Sequence, residues 1–180
     1  MMKMKILAMS DSHMFNDQLV RITSKYKGKV DSMIHCGDSS LPINDPLLKP
    51  FDIVVKGNHD DEPFPHFVCQ NHILVTHGQY YHVYLGYDEL IRLCHENQCQ
   101  LCLHGHTHVP TYQKHENILF INPGSIMINR GSYGFGTYAI INIDKEIEVQ
   151  FFNCETDEIC DFHIIEEGFE LLEEFKKLLK

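Results

Sequence analysis

No run of about 18 apolar residues occurs in the chain, so the sequence offers no bilayer-spanning helix. The start, Met1-Met2-Lys3-Met4-Lys5-Ile6, leads into an apolar segment without a small-residue cleavage site. No membrane association is expected, and the location expected is cytoplasmic. Internal repeats and low-complexity tracts are missing as well. Basic charge is scarce: 15 Lys and Arg stand against 25 Asp and Glu, a net charge of −10. A protein that tracks along nucleic acid by neutralising phosphates is thereby disfavoured, and no stable nucleic-acid complex is expected. Small phosphorylated substrates stay open, because bound divalent cations would make one cleft locally positive. A disulfide framework is also lacking. The seven cysteines are odd in number and irregularly spaced, which reads as reduced thiols. Cys99 and Cys102 form a C-x-x-C with neither a helix start nor a second pair beside it, so Cys102 reads as a buried strand residue.

At 180 residues the chain has the length of one domain, residues 1–180, with enough core to fold without staples. Apolar runs predict strands at Met4–Met9, Val30–His35 and Phe51–Val55, a pair at Phe67–Cys69 and Ile73–Thr76, and a strand at Leu101–Leu103. A hairpin from Thr111–Lys114 to Ile118–Ile121 and two alternating strands, Thr137–Ile143 and Glu146–Phe152, follow. Phe162–Ile165 reads as a further strand. Helical spacing predicts Asn16–Tyr26, capped by Asn16, then Asp88–Asn97 and an amphipathic Glu166–Lys180 with Phe169, Leu172, Phe175 and Leu179 on one side.

What the sequence has in abundance is histidine, thirteen in all. Imidazole is the commonest metal ligand and titrates near neutrality. Five motifs follow directly on apolar strands: Asp11-x-His13, Gly37-Asp38, Gly57-Asn58-His59-Asp60, His77-Gly78 and Gly105-His106-Thr107-His108. Ligands bind at the carboxyl ends of strands in open α/β sheets. Carboxylate, imidazole and amide donors together suit Mn²⁺, Fe²⁺, Ni²⁺ or Zn²⁺ rather than Ca²⁺. Seven donors, Asp11, His13, Asp38, Asn58, His77, His106 and His108, exceed the four a tetrahedral ion takes. They fit two ions about 3.5 to 4 Å apart that share a carboxylate, for which Asp38 is the candidate.

In order and spacing from Met4 to about Ile143, these motifs resemble the calcineurin-like metallophosphoesterases and, within them, the small YfcE-type phosphodiesterases. The resemblance implies an α/β fold, a two-sheet αββα sandwich of the metallophosphoesterase type. It implies one metal on Asp11, His13, Asp38 and His108 and a second on Asp38, Asn58, His77 and His106, with Mn²⁺ placed first. His59 matches the family's non-ligand histidine beside the phosphoryl group, Asn122-Pro123-Gly124-Ser125 a turn near the site, and Arg130 a position where relatives often carry a base. Two departures stand out: Met14 replaces a common Gly, and Gln79 replaces the second histidine of an H-G-H pattern. Neither is a ligand, so they bear on substrate fit.

The remaining histidines, His66, His72, His82, His95, His115 and His163, carry no assignment. His35 and His104, at strand ends, read as packed residues or as hydrogen-bond partners of ligands. Asp60 and Asp61 read as turn residues, not as an acid/base pair. Ser10, Ser12 and Ser125 show no triad order, which excludes nucleophilic serine catalysis. The function expected is dinuclear metal-dependent phosphoesterase, a phosphodiesterase first, in which a metal-bridging hydroxide attacks a small phosphate ester and His59 acts as acid or charge stabiliser. One rival is a non-catalytic protein-assembly scaffold on the same fold, resembling the retromer subunit. As the resemblance implies, that scaffold lacks histidine at the positions of His13 and His59. Another rival is hydrolysis of an amide or thioester by the same cations. A homo-oligomer is left open.

Overall fold

Side chains of a strand alternate between two faces, and in Met4–Met9 both faces are buried. Ile6 and Ala8 join one apolar cluster, Leu7 and Met9 another. A strand of this kind belongs in the middle of a layered structure, and it is central in its sheet. The structure, a computed structural model, describes residues 3–180. In chain order its elements are β1 (Met4–Met9), α1 (Asn16–Tyr26), β2 (Ser32–His35), β3 (Ile53–Val54), β4 (Phe67–Gln70), β5 (Ile73–Thr76), α2 (Asp88–Glu96), β6 (Leu101–Leu103), β7 (Thr111–His115), β8 (Ile118–Asn122), β9 (Thr137–Ile143), β10 (Ile147–Asn153) and α3 (His163–Leu178).

Two five-stranded sheets result, ordered β10-β9-β1-β2-β3 and β4-β5-β6-β8-β7. The parallel strands are β1-β2-β3 in one sheet and β5-β6-β8 in the other; antiparallel strands extend the first on the β9-β10 side and the second at both edges. Between them lies a core to which Ile6, Ala8, Ile34, Ala139 and Ile141 contribute from one side and Val75, Leu101, Leu103 and Ile121 from the other. The opposite faces carry the helices. Leu19, Ile22 and Tyr26 of α1 pack on Leu7, Met33 and Ile140; Leu90 and Cys94 of α2 pack on Leu74, Cys102 and Phe120. At about 1.5–3 kcal/mol for each fully buried large aliphatic side chain, these layers hold the strand ends in place. The expected αββα sandwich is what forms.

Three local expectations are corrected. Phe162–Ile165 is not a strand: the segment enters α3, and Ile164 and Ile165 join the core between the sheets. α3 therefore closes the sandwich at β7 instead of lying on an outer face. Leu179 falls just beyond the helix and is exposed. Asn16 is not the cap of α1. Phe15 occupies that position, with no side-chain cap bond, and Asn16 Oδ1 is buried without a partner. The thiols are all free, and Cys102 is buried in β6. Among the described residues no helix is long and apolar enough to cross a membrane.

Candidate metal centre

Parallel strands present their carboxyl ends on one side, so the loops after β1, β2 and β3 meet those after β5, β6 and β8. All seven candidate ligands arrive there. At the floor lie Asp11, Asp38 and His77, which are 0%, 1% and 2% exposed. His13, His106 and His108 form a half-buried wall, and Asn58 and His59 stand exposed at the mouth.

The distances define two groups. Donor atoms of Asp11, His13 and His108 lie within 4.8 Å of one another, and so do those of Asp11, Asp38 and His77. Asn58 Oδ1 is 3.1 Å from His77 Nε2, and the His106 ring centroid is 5.2 Å from that of His77. Asp38 Oδ2 lies 3.8 Å from His13 Nε2 and 3.3 Å from His77 Nε2, hence between the groups. Asp11 Oδ1 has the same character, at 3.1 Å from His108 Nε2 and 3.8 Å from His77 Nε2. Both carboxylates are therefore central.

Each carboxylate has one oxygen tied down and one aimed inward. Asp11 Oδ2 accepts from Ser10 Oγ and from the His106 N–H, whereas Oδ1 is buried without a hydrogen-bond partner. Asp38 Oδ1 accepts from the His59 N–H at 2.7 Å. His77 Nδ1 faces the Cys36 carbonyl at 2.8 Å and must donate to it, which turns the Nε2 lone pair inward. His13 Nε2 and His108 Nε2 face each other at 3.2 Å, an arrangement that needs a proton or a cation between two lone pairs. These donors fit divalent transition metals. The charges agree: burial pushes the Asp11 carboxyl up, but His77 and His108 overcome it and hold it well below the usual range. Burial lowers His77, yet Asp11 and Asp38 raise it to about 9. Burial holds His106 down at about 4 and lowers His13 against the pull of Asp38.

The backbone is special at the same positions. Asp11, His13, Asp38, His106 and His108 all have positive φ, between 43° and 71°. Such conformations persist only where the surroundings impose them. Met14 also has φ 64°, a conformation that glycine adopts without steric cost. Gly57 and Gly105 are required for space, since a methyl at the first would overlap Asp38 and at the second Ser10 and Asp11.

Some residues in the supporting ring were not legible as such. Asp60, 4% exposed, accepts from the Asp38 N–H, the Ser40 N–H and the Gly57 N–H, each at 2.8 Å, and from Ser39 Oγ. It clamps the β2 loop to the β3 loop, more than the turn expected of it. Ser125 Oγ donates to the Asp11 carbonyl, and Asn122 ties the turn before it to Gly105 and Thr107. His35 pairs with Ser12 and the Gly37 N–H, His104 with Tyr87 and the Gly105 carbonyl. Burial keeps both low, at about 4, as neutral loop supports. The His59 ring sits edge-on to His13 at 5.2 Å. Arg130 is exposed, with its N–H on the His108 carbonyl.

The family model "Calcineurin-like phosphoesterase superfamily domain" matches residues 4–146. The "Probable metallophosphoesterase YsnB" of Bacillus subtilis is 32% identical over 164 residues, 88% of this chain and 96% of that protein. A conserved protein of Streptococcus pneumoniae TIGR4, described as a predicted phosphoesterase, superposes with a TM-score of 0.83 at 34% identity, covering 90% of this chain and 95% of that one. Vacuolar Protein Sorting 29 of Cryptosporidium parvum superposes with a TM-score of 0.69 at 16% identity, covering 88% and 95%, which shows the shared fold. The chain belongs to the calcineurin-like phosphoesterase superfamily, and its class is metal-dependent phosphoester hydrolase.

Proposed function

We propose that this chain is a dinuclear phosphoesterase that cleaves small phosphate esters, diesters foremost, with two divalent transition metals, Mn²⁺ first among them. The observation that carries the reading is the convergence of Asp11, His13, Asp38, His77 and His108, with Asn58 and His106 beside His77, at a buried Asp11 Oδ1 that makes no hydrogen bond and has His108 Nε2 3.1 Å away. An orphaned buried carboxylate oxygen is costly in a folded protein unless a cation satisfies it. One ion falls to Asp11, His13, Asp38 and His108, the other to Asp38, Asn58, His77 and His106. When bound, the pair supplies Lewis acidity and a hydroxide nucleophile at neutral pH.

The chain's own groups do the rest. Asp38 fixes His59 through its backbone N–H, which leaves the exposed imidazole free to face a phosphoryl group at the mouth. There it donates a proton to the leaving alkoxide or hydrogen-bonds an equatorial oxygen. Arg130 is held beside His108 by its backbone, so its guanidinium can grip a phosphate oxygen from the same rim. A scaffold role would give His13 and His59 no work at this mouth. The test is elemental analysis for about two metals per chain, followed by a panel of phosphomonoesters, phosphodiesters, cyclic nucleotides, thiophosphate esters and carboxyl esters on metal-loaded protein. Folded protein that takes up no divalent metal would remove the reading, and turnover of carboxyl esters alone would replace it.

A further inference from the structure

Beside the metal centre, and continuous with it, lies a cavity of about 270 Å³ lined by Lys56, Asn58, His66, His77, Gln79 and Tyr80. Two of these, Asn58 and His77, are candidate ligands of the second ion. The other four have no role in holding a metal. A drug-sized ligand occupies roughly 300–1,000 Å³, so a space of this size takes one portion of a substrate.

Three loops build it, each fixed by its own bonds. The Lys56 N–H donates to the Pro65 carbonyl at 2.8 Å, which brings the β3 end against the segment carrying His66. The His66 carbonyl accepts from Thr76 Oγ1 at 2.9 Å, which pins that segment to β5. Directly after His77-Gly78, the one-turn 3-10 helix Gln79–Tyr81 projects Gln79 and Tyr80. The His66 and Tyr80 rings stand 5.2 Å apart at 40°, and Tyr80 is 65% exposed, so its ring has a free face. Gln79, also exposed, brings an amide with both donor and acceptor capacity, and Lys56 adds donors only.

We propose that this cavity selects the organic portion of the substrate and takes a planar, hydrogen-bonding ring of the nucleobase type, making the substrate a nucleoside phosphate ester. Aromatic face, amide edge and lysine ammonium together match the π-face and the mixed donor and acceptor edge of a base. A purely anionic group would find only the single lysine as a fixed charge. An amide at Gln79 reads a base edge in the same way at every pH.

The proposal rests on the phosphoesterase reading, and its test separates the two. Two diesters share the p-nitrophenolate leaving group, the p-nitrophenyl ester of thymidine 5′-phosphate and methyl p-nitrophenyl phosphate. On the metal-loaded protein kcat/KM should favour the thymidine ester by about tenfold or more, the scale of one stacked base. Tyr80→Ala and Gln79→Leu should each collapse the ratio toward one. In parallel, calorimetry should show thymidine 5′-monophosphate binding more tightly than inorganic phosphate, with that difference lost in Tyr80→Ala. Equal efficiency on the two esters in the wild type, or losses in the variants that fall equally on both, would overturn the proposal. Should the wild type cleave neither ester, the phosphoesterase reading fails, and the calorimetric difference still decides the cavity.

Discussion

Asp60 makes the sharpest prediction because it touches no metal. Its Oδ2 accepts the Asp38 and Gly57 N–H groups, and its Oδ1 accepts the Ser40 N–H and Ser39 Oγ. Asp60→Asn keeps the shape but turns one of these oxygens into an NH₂ group. The amide is best placed with its NH₂ on the Oδ1 side, where the Ser39 hydroxyl can turn to accept and the Ser40 N–H alone faces a donor. At about 1.5–3 kcal/mol for a hydrogen bond to a charged group, that one lost bond costs about 1.5–3 kcal/mol, a sizeable part of a typical 5–15 kcal/mol stability. Release of the Asp38 loop should also weaken metal binding by about 10- to 100-fold, as the loss of an outer partner commonly does. Urea unfolding of chelator-treated protein gives the first quantity, and competition with a chromophoric chelator the second. Asp61→Asn, at an exposed neighbour, is the control and should stay within about 0.5 kcal/mol. If Asp60→Asn matches that control in both measurements, the clamp has no energetic content and Asp60 is a turn residue only.

Other outcomes follow from the same geometry. Asp38→Asn removes a charge that lies between both donor groups, so elemental analysis should show both metals depleted and turnover abolished; full activity with both metals retained would place the bridge elsewhere, with Asp11 the first alternative. His59→Ala should retain both metals yet lose about 10²- to 10⁴-fold in rate on alkyl esters and less on activated aryl esters, because only the former need a proton on the leaving group; equal losses on both would leave charge stabilisation as its only role. His77 in the metal-free protein is raised to about 9. Its contribution to metal-free stability is therefore full below the unfolded value near 6.5 and is lost as pH rises through about 9, visible as a falling melting temperature over that window. By the same sign, metal uptake near pH 8 should expel about one proton from His77, measured by calorimetry in buffers of different ionisation enthalpy; uptake with no proton release would show that His77 is not a ligand.

Much of the architecture was legible because the strands are apolar on both faces and the chemistry follows directly on them. Asp11, Asp38 and His77 each stand within two residues of a strand end or a Gly, and local order alone located them. Phe162–Ile165 was misread because a four-residue apolar run suits strand and helix equally, and only packing of Ile164 and Ile165 against the core decides. The cap of α1 was misplaced because the left-handed residues His13 and Met14 swing the chain so that Phe15 enters the helix first. Asp60 could be seen to sit in a motif, but its grip on Asp38, 22 residues away, is tertiary. The cavity at Lys56, His66, Gln79 and Tyr80 joins three loops and leaves no periodic trace; its one signal in the sequence was Gln79 in place of histidine.

Several features that make this centre chemically useful act against folding of the metal-free chain, although the pairing of His77 with Asp11 and Asp38 offsets part of that cost. Five of the seven candidate ligands sit at positive φ, and residues held in such sparsely populated regions cost of order 1–3 kcal/mol each in the unfavourable cases. Two buried carboxylates converge there, and Asp11 Oδ1 makes no hydrogen bond. Against this stand the bonds of Asp60, Ser125, Asn122 and His35 and two sheets packed on both faces. None of those bonds uses an inward-facing donor atom. The cage is therefore held in shape from outside, and cation binding need not reorganise it. Metal binding should stabilise the chain in proportion to free metal concentration, by RT ln(1 + [M]/Kd), without changing its secondary structure. Circular dichroism that is superimposable with and without metal, together with a raised melting temperature, is the expected signature of a preformed cage. A large gain of ordered structure on metal addition would show instead that the cations build the loops they occupy.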